Sequence, residues 1–167
     1  MQILKRLLFV LWLAVLLPIG VHAQALTDYA ENKIVDAVLR GQSLGAPATW
    51  YVGLLTSACS DSSAGTEVTG GSYARVAVTA GLTQWAGTQS AGSTTASSGT
   101  GGQTSNNATI TFPAPTASWG TVTGFGLWDA STSGNQWFCF TLSTSKTINN
   151  GDAAPSFAAG ALTITFQ

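Results

Sequence analysis

The residues that could carry out catalysis are few, and their arrangement argues against an enzyme. The tetrapeptide Ser143-Thr144-Ser145-Lys146 matches the Ser-x-x-Lys nucleophile motif of penicillin-binding enzymes. There the serine opens a helix and the lysine faces it one turn later. Here the motif follows a predicted strand and leads into an Asn-Gly turn, and the partner motifs are absent. The only histidine, His22, lies in a segment that we expect to be removed. The remaining chain therefore has no Ser-His-Asp triad, Cys-His pair or histidine-based metal site.

The seven carboxylates are the remaining candidates for catalysis. A pair of carboxylates at a suitable separation can hydrolyse glycosides. Three of them, Asp28, Glu31 and Asp36, fall on a predicted helix, and at least three others fall in loops or turns. Solvated caps and turn residues explain these positions more simply. We predict a protein that is not an enzyme, with no catalytic residue, no cofactor and no metal site.

The first 25 residues have the pattern of a secretory signal peptide. Lys5 and Arg6 precede an unbroken apolar run at residues 7–17, which is short for a bilayer span of roughly 20 residues. Small residues follow at Ala23 and Ala25, and cleavage after either one fits the pattern. We expect export to the periplasm or extracellular space and no stable membrane span after cleavage. An uncleaved anchor and a non-functional extension remain alternatives.

Beyond this segment the chain is poor in charge. Four basic and seven acidic residues remain, for a formal net charge of about −3, and only three charged residues follow Arg75. Without a basic patch there is no electrostatic basis for binding nucleic acid. Isolated charges normally keep exposed strand edges from pairing. The charge-poor half therefore indicates either a secreted domain coated with Ser, Thr and Gly, or a surface that neighbouring subunits cover.

Two cysteines, Cys59 and Cys139, lie in the remaining chain. In an exported protein they are candidates for one disulfide across the fold. The alternative is two small buried hydrophobic residues.

The apolar patterns predict an all-β domain preceded by one amphipathic helix. Asp28 and Glu31 form a predicted capping box for a helix at residues 26–40, and Gly41 is placed to end it. Residues 47–167 follow as a β-sandwich or open barrel in the same single domain, residues 26–167. The predicted apolar helix face comprises Ala30, Ile34, Ala37, Val38 and Gly41. The predicted strands span residues 49–56, 73–79, 108–112, 122–129, 136–142 and 161–166, and ASTSGN joins two of them as a hairpin loop.

Residues 87–105 contain no charge, no aromatic ring and no branched aliphatic side chain. We predict a mobile surface loop there, and ordering against a partner is the alternative. Five tryptophans follow the signal-like segment, and most are expected to pack in the core or on a sheet face. Three of them are candidates for an interaction surface, where an exposed pair could stack on sugar rings: Trp85, Trp119 and Trp128.

The chain after the signal-like segment resembles a family of tailed-phage structural proteins, described as tail fibre, head fibre or decoration-type proteins. The resemblance lies in ALTDYAENKIVDAVLRGQ, PATWYVGLLTSACSD, GTEVTGGSYARVAVT, ITFPAPTASWGTVTGFGLWDAS and TLSTSKTINNGDAAPSFAAGALTITF. It implies a non-enzymatic virion component that is made in the host cytoplasm and assembled in multiple copies. Family members begin at the position of Ala25, with an initiator methionine where Gln24 stands, so the signal-like segment departs from the family pattern.

Two interpretations of function follow. The first is a phage or prophage virion structural protein of the tail-fibre or head-decoration type. In it the helix packs against other virion proteins or further copies, and the β-domain faces outward. The second is an exported surface or adhesive module that binds a glycan or another cell, which the signal-like segment and the two cysteines favour.

Overall fold

The computed structural model describes residues 25–88, 95–98 and 102–166, and these fold as an all-β domain with one helix. Its sheets are open, which confirms the predicted fold class. The signal-like segment before Ala25 lies outside the described residues. The elements are β1 Ala25–Leu26, α1 Asp28–Leu39, β2 Thr49–Leu55, β3 Val76–Thr79, β4 Gln103–Ser105, β5 Ile110–Thr111, β6 Gly120–Trp128, β7 Gln136–Ile148, β8 Ser156–Phe157 and β9 Thr163–Thr165.

The main layer is a five-stranded antiparallel sheet in the order β1-β7-β6-β2-β3. Strands β6 and β7 form a hairpin around the predicted ASTSGN loop. Two ribbons, β4–β9 and β5–β8, supply the second layer. Side chains from the sheet, such as Val52 and Phe125, share one buried cluster with Phe112, Leu162 and Ile164 from the ribbon side. The core therefore lies between the sheet and the ribbons, as in a β-sandwich.

On the face of the main sheet that points away from the core, the indole ring of Trp128 lies over two glycines. Gly53 of β2 pairs with Gly126 of β6. A Cβ atom on Gly53 would lie 2.7 Å from the Trp128 ring and 2.9 Å from the Tyr73 hydroxyl. The absence of side chains at this pair therefore leaves the space that the indole of Trp128 occupies.

The N-cap of the helix lies one residue before its predicted position. Thr27, and not Asp28, is the N-cap, and its Oγ1 accepts a hydrogen bond from the backbone N–H of Ala30 at 3.4 Å. The same hydroxyl donates to the carbonyl of Gln136 on β7. Thr27 can therefore cap the helix and also hold it to the sheet. Sequence spacing does not reveal this double role. Gly41, with φ +68°, follows the helix as predicted.

Part of the predicted loop at residues 87–105 is a strand. Gln103–Ser105 forms β4 and pairs with Thr163–Thr165 of β9. Three uncharged polar residues carry no apolar alternation, so the pairing depends on the partner strand and not on local pattern. Residues 89–94 and 99–101 of the predicted loop lie outside the described residues.

Candidate assembly surface

The fully buried contact of helix α1 with the rest of the domain lies in its first half. Ala30 is fully buried, and the ring of Tyr29 contacts Trp137 edge to face at a centroid distance of 5.4 Å. The second half exposes three apolar side chains: Val35 (48%), Val38 (73%) and Leu39 (78%). We call Val35, Val38 and Leu39 the helix ridge. Val38 belongs to the predicted apolar face, yet it is uncovered within the domain because no described element covers the end of the helix.

The two charged residues nearest Val38 and Leu39 are paired. Asp36 and Arg40, one helical turn apart, form an ion pair at 3.0 Å. Lys33 lies on the sheet-facing half, 5.7 Å from the centroid of the Tyr29 ring. An exposed pair of this kind adds little to stability. It does, however, neutralise the charges beside Val38 and Leu39, so an apolar partner could cover these two side chains at low electrostatic cost.

An apolar cleft opens between the main sheet and the β4–β9 ribbon. Its volume is about 160 Å³. The ring of Phe138 lines the cleft and contacts two other lining rings, with centroid distances of 5.4 Å to Trp50 and 5.7 Å to Phe166. Phe166 is 46% exposed and forms part of the rim. The described residues that line it are Trp50, Trp85, Thr104, Leu127, Phe138, Ile164 and Phe166. Thr104 is the one polar residue among these, and its hydroxyl donates to the carbonyl of Ala86 at 2.7 Å.

Arg75 is the centre of a partly buried ionic cluster on the other face of the sheet. Its guanidinium donates two hydrogen bonds to the Glu67 carboxylate, at 2.8 and 2.7 Å, and lies 4.1 Å from the centroid of Trp128. It also donates to the carbonyls of Ala130 and Ser133 in the β6–β7 loop. Four of the five N–H donors of this arginine are thus used within the domain, which indicates that the cluster holds two loops in place.

Tyr73 completes the same cluster. Its hydroxyl donates to Glu67 at 2.9 Å and accepts from the backbone N–H of Leu54 at 2.8 Å. Burial raises the pKa of Tyr73 well above its ordinary value, because the charged phenolate would lose its hydration. The hydroxyl therefore stays protonated at neutral pH and makes structural hydrogen bonds; it does not act as an acid or base.

Cys59 and Cys139 are joined by a disulfide in the structure, with a sequence separation of 80. The bond connects the loop after β2 to β7, directly opposite Ala25 of β1. In the same region the N–H of Asp28 donates to the carbonyl of Asp61 at 2.9 Å. The disulfide therefore holds this loop against the start of α1.

The structure corrects the tryptophan prediction. Trp119 and Trp128 are each 5% exposed, Trp119 in the core and Trp128 on the other face of the sheet, so neither ring is exposed for an interaction. The indole N–H of Trp119 donates to the carbonyl of Gly71, which accounts for its burial. Trp85 is partly buried and lines the apolar cleft, and its Nε1 has no hydrogen-bond partner among the described residues.

The catalytic candidates are not brought together. The Ser143-x-x-Lys146 motif lies in strand β7, so the helical start that this motif requires is not formed. The described residues contain no group of three or more potential metal ligands. No helix among them is long and apolar enough to cross a membrane.

Sequence reasoning missed the helix ridge and the apolar cleft. Val35 and Leu39, four residues apart beside the predicted stripe, carried a signal, because they widen the apolar face beyond what one packing contact covers. The cleft had no such signal, since it combines side chains from distant segments.

Comparison with known proteins supports the resemblance seen in the sequence. The family model for Podophage GP4 fiber I protein gp80 matches residues 25–165. This range contains α1 and all nine of the strands described above. No curated protein matches the chain. The match covers most of the chain, and the chain therefore belongs to the Podophage GP4 fiber I protein gp80 family, a family of phage fibre structural proteins.

Proposed function

We propose that this virion structural protein is a non-enzymatic fibre subunit that assembles in several copies, with the helix ridge as its contact surface. The observation that carries the proposal is the exposure of Val38 and Leu39, at 73% and 78%, on a helix whose other end is fixed to the sheet. Large apolar side chains clustered at an exposed helix end are a common sign of a protein–protein contact.

The low charge of the chain supports the same role. Only Asp129, Lys146 and Asp152 are charged after Arg75. Subunit contacts are depleted in charged residues at their centres, because each buried charge must lose its hydration. A domain with so few charged residues is better suited to a packed assembly than to remaining a soluble monomer.

Purified phage particles provide the first test. We expect the protein in particles at several copies each, by quantitative mass spectrometry, and on fibres by immunogold electron microscopy. Gold on the capsid surface would favour a head-decoration role over a tail-fibre role. Its absence from particles would refute the virion proposal.

Self-association provides the second test. We expect Leu39→Lys to raise the dissociation constant at least about tenfold, because one leucine loses its burial. Asn32→Lys is the matched control, since it adds the same charge at an exposed polar position of the same helix. Sedimentation equilibrium measures both. Equal association of the two variants would show that the ridge is not the contact.

A second candidate is an exported surface or adhesive module that binds a glycan or another cell. The Cys59–Cys139 disulfide favours it, because disulfides persist in oxidising compartments outside the cytosol. Disulfide-bonded protein in the periplasm or medium, together with none in particles, would establish this candidate over the first. Glycan-array binding would then identify its ligand.

A further inference from the structure

We infer that the helix ridge of one copy inserts into the apolar cleft of the next copy. The inference rests on the proposed function and deepens it, because it names the surface that receives the ridge. The occupant of the cleft is a second copy of this chain, with Leu39 as the inserted side chain and Val38 beside it.

The two surfaces match in size and chemistry. The cleft has a volume of about 160 Å³, and apart from Thr104 its lining is apolar. An apolar cavity of roughly 150 Å³ is large enough for a six-carbon ring. The four-carbon side chain of Leu39 is smaller than such a ring, so it fits with room for part of Val38.

The contact requires no unpaired charge to be buried. Among the described residues, no charged side chain lines the cleft, and the hydroxyl of Thr104 already donates to Ala86. Beside the ridge, Asp36 and Arg40 neutralise each other at 3.0 Å. Both surfaces therefore lose mainly apolar hydration on contact, which is the favourable part of association.

The ridge does not occupy the cleft of its own chain. Leu39 remains 78% exposed, and the cleft is open among the described residues. A contact between two different surfaces leaves one ridge and one cleft unfilled at the ends of every pair. Such a contact repeats until it closes into a ring or extends as a filament. This is the type of contact that a fibre subunit needs, and it differs from a two-fold contact of ridge against ridge.

Two variants and their mixture test the inference, using the protein in its native processing state. Leu39→Lys disables the ridge, and Phe166→Lys disables the rim of the cleft. Asn32→Lys and Leu82→Lys are the matched controls, because Leu82 is 55% exposed and does not line the cleft. Circular dichroism checks folding, and Phe166→Ala serves as a milder cleft variant. Native mass spectrometry with one isotopically labelled partner identifies mixed species.

We expect each of the two disabled variants to associate at least about tenfold more weakly, while the controls behave as wild type. Their equimolar mixture should form a heterodimer that does not grow, since one intact ridge meets one intact cleft and the two lysines block the next contact.

Three results would overturn the inference. If Phe166→Lys and Phe166→Ala associate like wild type while Leu39→Lys does not, the ridge has another partner surface and the proposed function stands. If both disabled variants lose association but their mixture stays monomeric, ridge and cleft do not meet. If the wild type is monomeric at all concentrations, the proposed function fails as well.

Discussion

Removal of the disulfide by Cys59→Ala/Cys139→Ala should destabilise the domain strongly. The bond closes a loop with a sequence separation of 80. For a loop of this length, the chain-entropy model gives a stabilisation of about 4.5 kcal/mol at 25 °C, whereas measured values are typically about 2–4 kcal/mol. Cys139 is also 3% exposed, so the alanine leaves a small cavity beside β1. We expect the free energy of unfolding to fall by about 2–4.5 kcal/mol.

Thermal and urea unfolding, followed by tryptophan fluorescence, measure this effect. A domain of this size loses roughly 3 °C of Tm per kcal/mol, so Tm should fall by about 6–14 °C. Reductant is the control: it should lower the Tm of the wild type and leave that of the double variant unchanged. The intact mass of the non-reduced wild type should lack two protons. A wild type with two free thiols, or a double variant within about 0.5 kcal/mol of wild type, would refute the reasoning.

Three further predictions concern the packed polar groups. Arg75→Ala should lower the free energy of unfolding, measured in urea, by about 3 kcal/mol, because the Arg75 side chain is only 7% exposed and its removal leaves Glu67 without its ion-pair partner. Adding Glu67→Gln should recover part of this loss. Gln136→Met should leave the free energy of unfolding unchanged or raise it by up to about 1 kcal/mol, since neither side-chain amide atom has a hydrogen-bond partner among the described residues. A large fall in the free energy of unfolding would contradict this and show that the amide does have a partner. Burial favours a raised pKa for Asp129, but hydrogen bonds from Asn135 and Trp137 outweigh it and hold the pKa below its ordinary value. The ionised Asp129 therefore adds to the free energy of unfolding above its unfolded pKa of about 3.9, and this contribution is lost as the pH falls through the lower folded pKa. Asp129→Asn should therefore lower the free energy of unfolding at pH 7 but not in strong acid.

The main elements were predictable because their signals are local. Helix α1 lies within the predicted residues 26–40, and Gly41 follows it at a positive φ. The hairpin of β6 and β7 was readable from the turn residues between two apolar runs. Strands β1, β4 and β8 were missed, since strands of two or three residues depend on their partner and carry no alternation of their own.

The candidate site was less predictable for the same reason. The sequence marked Trp119 and Trp128 as surface candidates by residue type, yet Trp128 is buried over a pair of glycines that only strand pairing brings together. Val38 was placed on the apolar face of the helix, yet no described element covers it within the domain. Exposure depends on what lies opposite a side chain, and that is a property of the assembled fold.

By itself the sequence determined the all-β class, the amphipathic helix that precedes the β-domain and the scarcity of charge, because composition and short-range periodicity express these properties directly. The tertiary structure decided which apolar side chains remain uncovered. It brings Trp50, Phe138 and Phe166 into one cleft, holds Cys59 beside Cys139, and leaves Leu39 in solvent. These outcomes depend on strand order and register, which are set by contacts between residues far apart in the chain.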